Sequence, residues 1–300
     1  MMSPLVSVVV PSYNHEKFLK ERIDSIVNQT FQDFELIILD DLSPDNSREI
    51  IERYRTHPKV SKIVYNEKNS GSTFFQWNKA IFELAQGEFI WIAESDDVAE
   101  SNFLETLVPV LKNDQEIVLA YCQSARMDSE GKITGSWKDW TDTLPEGKIF
   151  EHSFTMDGYE YIEKYLIHKN TVPNASAVLF KKDAYKKVGG AEKNQKTTGD
   201  WHLWIKIIMN GKVYFSASEL NKFRYHEKSV IARATTINEK SKLSVKYNLL
   251  DNILNMRFQL KNEKIFLVNS KFKNISKINN RVLRNIRIKK SILKFFLIFS

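Results

Sequence analysis

Two periodicities alternate along the first hundred residues, and that alternation restricts the chain to few folds. Residues 5–10, "LVSVVV", form an almost continuous β-branched run, the pattern of a strand buried on both faces. Residues 16–29 follow with Phe18, Leu19, Ile23, Ile26 and Val27 at helical spacing. The order then recurs as a strand over 34–40, a helix over 45–55, a strand over 61–66, a helix over 72–86 ending before Gly87, and a strand over 88–93. Strands and helices alternating over connections of this length predict a mostly parallel sheet with helices on its faces. Ligands of such sheets bind beyond the carboxyl ends of the strands. The chemistry is therefore expected just after residues 10, 39, 65 and 93.

Those positions hold "PSYN", "DDLSPDN", "NEKNSG" and "ESDD". No GxGxxG follows the first strand and no GxxxxGK[ST] occurs, so dinucleotide-binding and P-loop readings lack their phosphate cradle. A divalent metal held on carboxylates is the obvious substitute. Glu94, Asp96 and Asp97 repel one another, which fits either a solvated turn or a place where a cation sits. Beyond residue 100 the pattern is mixed: a helix over 101–113, a strand over 116–128, a helix over 158–170, and a strand with a short helix over 174–190. A helix over 198–210 turns Trp204, Ile205, Ile207 and Ile208 inward, and a last strand precedes "FRYHEKSV" at 223–230. No repeat or low-complexity linker interrupts this part, so residues 1–235 read as one domain and 236–300 as a helical extension.

Composition narrows the function classes. The chain is 42% hydrophobic and 27% charged with only ten glycines and seven prolines, a globular balance that leaves little to disorder. Cys122 stands alone, which excludes an intramolecular disulfide and a cysteine-rich zinc site and fits a reducing compartment. The opening "MMSPLVSVVVPSYN" makes a poor signal peptide and a good first strand, and no stretch offers the 18 apolar residues of a spanning helix. The net charge of +7 is uneven, because residues 261–300 hold eight Lys and three Arg against Glu263 alone. A mildly acidic body with a basic tail differs from a nucleic-acid binder, whose basic footprint lies on the folded domain.

The blocks "VSVVVPSYNHEKFLKERIDSIVNQTFQDFELIILDDLSPDNS", "GEFIWIAESDD", "GDWHLWIKI" and "FRYHEKSV" together resemble the family 2 inverting glycosyltransferases. The resemblance covers roughly residues 4–232 and implies the GT-A-type, Rossmann-like α/β fold, with 1–100 as the nucleotide-sugar half and 101–235 as the acceptor half. It implies that Pro11, Tyr13, Asp40, Asp41, Glu94, Ser95 and Arg224 contact a nucleotide-diphospho-sugar. Tyr13 would stack on the base, Asp41 would accept a base N–H, and Asp40 would support the loop or meet the ribose. Asp96, Asp97 and His226 would hold Mn²⁺ or Mg²⁺ against the diphosphate, Asp96 being the preferred direct ligand. Glu94 stands where many members have Asp, which leaves its second role open. Asp200 matches the family's general base, a function that contributes about 10²–10⁴ in rate. Gly199 and His202 depart from the usual "EDWDLW" around it, and Asp200 also suits a helix N-cap.

The resemblance thus implies metal-assisted transfer of a UDP- or dTDP-linked sugar to a glycan or lipid-linked hydroxyl, in bacterial surface polysaccharide synthesis. A non-catalytic nucleotide-sugar binder is the alternative. A sugar-nucleotide pyrophosphorylase would need a Gly-rich basic loop where "PSYNHE" stands. In the tail, Phe272, Ile275, Ile278, Val282 and Ile286 share helical spacing with Lys and Arg between them. That pattern suits an anionic membrane surface, so a cytoplasmic protein at the inner face of the membrane is expected, with packing on the catalytic domain or on a second subunit of a homodimer as the other uses of the tail.

Overall fold

The computed structural model describes residues 3–144, 146–166, 168–193 and 199–226. Its first half follows the expected alternation: β1 (Val6–Ser12), α1 (Glu16–Val27), β2 (Phe34–Asp40), α2 (Ser47–Glu52), β3 (Val60–Tyr65), α3 (Thr73–Lys79) and β4 (Phe89–Ile92). All seven residues of β1 and of β2 are buried, as their β-branched runs require of strands covered on both faces. In α1 the stripe Leu19, Ile23 and Ile26 joins one core cluster with Val8 of β1, Leu36 of β2 and Trp91 of β4.

The second half adds β5 (Val98–Ala99), α4 (Phe103–Asn113), β6 (Ile117–Met127), β7 (Ile133–Ser136), α5 (Lys138–Thr141), β8 (Phe154–Asp157) and α6 (Gly158–Tyr161). It closes with β9 (Val178–Lys181), α7 (Lys182–Lys187), α8 (Gly199–Ile208) and β10 (Lys212–Arg224). One mixed sheet runs in the order β3-β2-β1-β4-β9-β6-β10-β5, with β7 on β6 and β8 on β10. The β3-β2-β1-β4 half is parallel, and so is the β6–β10 pair. Antiparallel β9 joins the two, between β4 and β6.

Three expectations are corrected. The single helix over 72–86 divides into α3 and a π-turn at Ala80–Leu84, closed by Ala85 N–H donating to the Ala80 carbonyl. The helix over 158–170 likewise gives way after α6 to a π-turn at Ile162–Leu166. A π-turn keeps the same side-chain types inward while shifting the register by one residue, so helical spacing cannot reveal it. The last strand reaches Arg224, which puts Phe223 and Arg224 inside it, because β10 bulges at Ser216–Asn221 and stays paired to Met127. The described residues as far as Tyr225 form one compact unit. The expected boundary at 235 and the amphipathic basic tail lie outside the described residues. Among the described residues no helix is long and apolar enough to cross a membrane.

Candidate functional site

Backbone hydrogen bonds tie the carboxyl ends of the four parallel strands together. Asp41 N–H donates to the Ser12 carbonyl, Asn66 N–H to Asp40, and Ala93 N–H to Val9. The four polar segments named in the sequence therefore lie along one edge. Two residues there take left-handed backbone, Asn14 (φ 57°) and Leu42 (φ 61°). Asn tolerates that region, whereas Leu occupies it at a cost, and it does so directly after the paired acids.

The acids divide by environment. Asp40 is fully buried, and its Oδ1 accepts from Arg48 Nε at 2.8 Å and from Ser43 N–H at 3.2 Å. Asp41 anchors the loop after β3. Its carboxylate accepts from Asn66 Nδ2 (2.7 Å), Gln76 Nε2 (2.9 Å), Ser70 N–H (2.9 Å) and Ser70 Oγ (2.7 Å). Pro11 is buried within β1, paired with Leu39, while the Tyr13 ring is 43% exposed at the strand's end. An exposed aromatic face there is free to stack on a planar ligand.

In the acid turn, Glu94 Oε1 accepts from the Trp77 indole at 2.9 Å and from Thr73 Oγ1 at 3.3 Å. Ser95 Oγ lies 2.8 Å from His15 Nδ1. Asp97 Oδ1 accepts from the Arg224 backbone N–H at 2.9 Å. The Arg224 guanidinium is buried and donates to the carbonyls of Asp96 (2.8 Å) and Asp128 (3.2 Å) and to Glu21 Oε2 (2.5 Å). Its charge thus ties the end of β10 to the acid turn and to α1.

Asp96 has a different setting. Ligand-type atoms of His15, Asp96 and His226 all lie within 4.8 Å of one another. Two imidazoles and one carboxylate, with Ser95 beside His15, make a donor set that fits a divalent ion. A mixed nitrogen and oxygen set of this kind suits a first-row divalent ion better than Mg²⁺, which takes oxygen ligands. His15 did not figure among the expected ligands, and nothing in its 81-residue separation from Asp96 marks it in the sequence.

Arg22 is the second residue that the sequence reading passed over. Its side chain is completely buried, 5.0 Å from the Trp91 ring, and its three guanidinium nitrogens have no hydrogen-bond partner among the described residues. Burial pulls it down to about 10, opposed by the charges of Asp97, Asp96 and Glu94. The same cluster raises its carboxyls. Glu94 is pushed up to about 8 by burial and then by Asp96 and Asp97. Asp97 is raised by burial and then by Asp96, with Arg22 opposing.

A carboxyl raised in the folded state binds its proton more tightly than the unfolded chain does. The stability it contributes is present below the ordinary carboxylate range and is lost as pH rises through the folded value. The chain kept in chelator is therefore expected to melt at steadily lower temperature between about pH 5 and pH 8. Glu94→Gln should flatten that slope, and Mn²⁺ should oppose it by stabilising the ionised cluster. Melting curves of both proteins across this range, with and without Mn²⁺, decide the matter. An unchanged slope in the variant would assign it to other groups.

Asp200 lies in the first turn of α8, where burial raises its carboxyl and its Oδ1 accepts the Trp201 N–H at 2.8 Å. The helix is fixed from two sides. Trp201 Nε1 donates to the Leu166 carbonyl at 2.8 Å, and the Trp204 ring stacks on Trp77 with centroids 6.3 Å apart and planes at 25°. Trp77 is the residue that holds Glu94, so the stack joins the acid turn to the helix of Asp200. His202 is buried with Nδ1 3.3 Å from Glu192.

A family model described as Glycosyl transferase family 2 matches residues 7–189. TuaG of Bacillus subtilis, a glycosyltransferase named for teichuronic acid biosynthesis, is 38% identical over 228 residues, 76% of this chain and 81% of that one. S. aureus TarS 1-349, solved in complex with UDP-GlcNAc, superposes with a TM-score of 0.64 at 20% identity, over 85% of this chain and 66% of that chain. Mannosyltransferase PcManGT from Pyrobaculum calidifontis, solved with GDP-Man and Mn²⁺, gives 0.62 at 17% identity, over 86% and 65% of the two chains. At these identities the two structures bear on the fold alone. The chain spans about two thirds of the length of several relatives it matches, and less of others.

Proposed function

The chain belongs to glycosyl transferase family 2, and we propose that it moves a sugar from a nucleotide-diphospho-sugar to a hydroxyl of a glycan or lipid-linked acceptor, with inversion. The observation that carries this reading is the donor set of His15, Asp96 and His226 at the carboxyl edge of the parallel strands, where no glycine-rich loop exists to hold phosphates. Asp96, with the two histidines, would hold Mn²⁺, which when bound offsets the negative charge of the departing diphosphate. Asp97 and Arg224 fix the turn that presents Asp96. Tyr13 stacks on the base, and the loop anchored by Asp40 and Asp41 shapes the base pocket.

Asp200 takes the proton of the acceptor hydroxyl. That oxygen forms its bond to the anomeric carbon as the bond from that carbon to the diphosphate oxygen breaks. The electron pair of the broken bond leaves with the nucleoside diphosphate. One displacement inverts the anomeric centre, and no protein nucleophile takes part. The relationship to a teichuronic acid enzyme supports surface polysaccharide synthesis as the setting.

A panel of UDP-, dTDP- and GDP-sugars incubated with the protein and Mn²⁺ tests the reading through released nucleoside diphosphate. Release from at least one donor, abolished by chelator, is expected. Silence across the panel would sink the catalytic reading, and release indifferent to chelator would sink the metal.

A further inference from the structure

We propose that Leu42 is a specificity-determining residue of the nucleobase site. Its aliphatic side chain, together with the Tyr13 ring, admits the pyrimidine of a nucleoside diphosphate in preference to guanine. The proposal deepens the transferase reading and rests on it.

Tyr13 and Leu42 stand on neighbouring loops that hydrogen bonds bracket on both sides. Before them Asp41 N–H donates to the Ser12 carbonyl, and after them Asn14 N–H donates to Ser43 Oγ at 3.0 Å. A little further on the loops tie each other down again. Glu16 N–H donates to Asp45 Oδ2 at 2.9 Å, and Asn46 N–H donates to Glu16 Oε2 at 2.7 Å. The two loops are therefore clamped together, and both residues are open to solvent on them, Tyr13 at 43% and Leu42 at 41%.

The fold itself gives little reason for leucine at position 42. At φ 61° its backbone lies where a side chain is strained and glycine is not. Strain of this kind persists where the surroundings over-determine it, and it gathers at ligand sites. Here the clamp supplies the over-determination. The neighbouring acids are already engaged: both oxygens of Asp41 accept from Asn66, Ser70 and Gln76, and Asp40 is fully buried. The large apolar side chains left open beside them are one aromatic ring and one aliphatic group. A pyrimidine suits that pair. Its C5 edge carries a hydrogen or a methyl group, whereas guanine presents the acceptors N7 and O6 on the corresponding edge. An acceptor set against leucine loses its water and gains no partner.

Calorimetric titration of the full chain with UDP, dTDP and GDP, each with Mn²⁺, tests the assignment beside thermal melting. Wild type should bind UDP and dTDP about tenfold more tightly than GDP. Leu42→Gly should melt about 3 °C higher, because it relieves the backbone. It should nevertheless bind both pyrimidine nucleotides about fivefold more weakly and GDP as before. Leu42→Ala keeps the strain and loses the contact, so the same loss should come with no gain in melting temperature. Unchanged UDP affinity in both variants would overturn the assignment, as would an equal loss for GDP or a wild-type preference for GDP. A wild type that binds none of the three takes the nucleotide-sugar reading down as well. Variants that bind like wild type leave that reading standing, so the two failures give different results.

Discussion

Asp200→Asn is expected to slow sugar transfer by about 10²–10⁴, the usual contribution of a positioned general base. The amide keeps the shape and the hydrogen bond to the Trp201 N–H but cannot take a proton. Because burial raises the Asp200 carboxyl, the acid limb of the kcat/KM profile should lie above the ordinary carboxylate range in wild type. The residual activity of the variant should lack that limb. Steady-state rates across pH with one productive donor measure both effects. A variant as fast as wild type would remove Asp200 from the chemistry, and a limb kept in the variant would assign it to another group.

Arg22→Ala is expected to destabilise the fold by about 3–5 kcal/mol, because it empties a large buried site and leaves the adjoining acids without their internal counter-charge. For a unit of this size that is a fall in melting temperature on the order of 10 °C. Arg22→Met separates the two causes, since it fills the space without the charge. If packing dominates, Met restores most of the loss. If charge dominates, Met melts like Ala. Thermal and urea unfolding in chelator read the difference, and an alanine variant that unfolds with wild type would show that the buried guanidinium neutralises nothing.

Much of this molecule was legible in its residues. Short continuous apolar runs rich in β-branched residues suit strands covered on both faces, and their alternation with helical stripes placed the acid turn at the ligand edge. The resemblance then singled out Asp96 and Asp200, which the fold sets at the carboxyl edge of β4 and in the first turn of α8. What stayed hidden depends on register and distance. The π-turns after α3 and α6 leave no periodic trace. The proximity of His15 to Asp96 is created by β1 and β4 pairing in parallel, which no local spacing encodes. Arg22 did carry a signal that went unused: it falls on the apolar stripe of α1, between Leu19 and Ile23, where a charged residue needs a reason. The packing of Trp137 and Trp140 beside Phe223 and Tyr225 combines two segments that are 83 residues apart at Trp140 and Phe223, and they meet because β6 pairs with both β7 and β10.

The stacked indoles of Trp77 and Trp204 have a mechanical consequence. They act as a rigid spacer, so the separation between Glu94 in the acid turn and the helix that carries Asp200 is set by two packed rings rather than by a loop that can breathe. A change at either tryptophan would therefore be felt in the acid turn and in the helix of Asp200 at once.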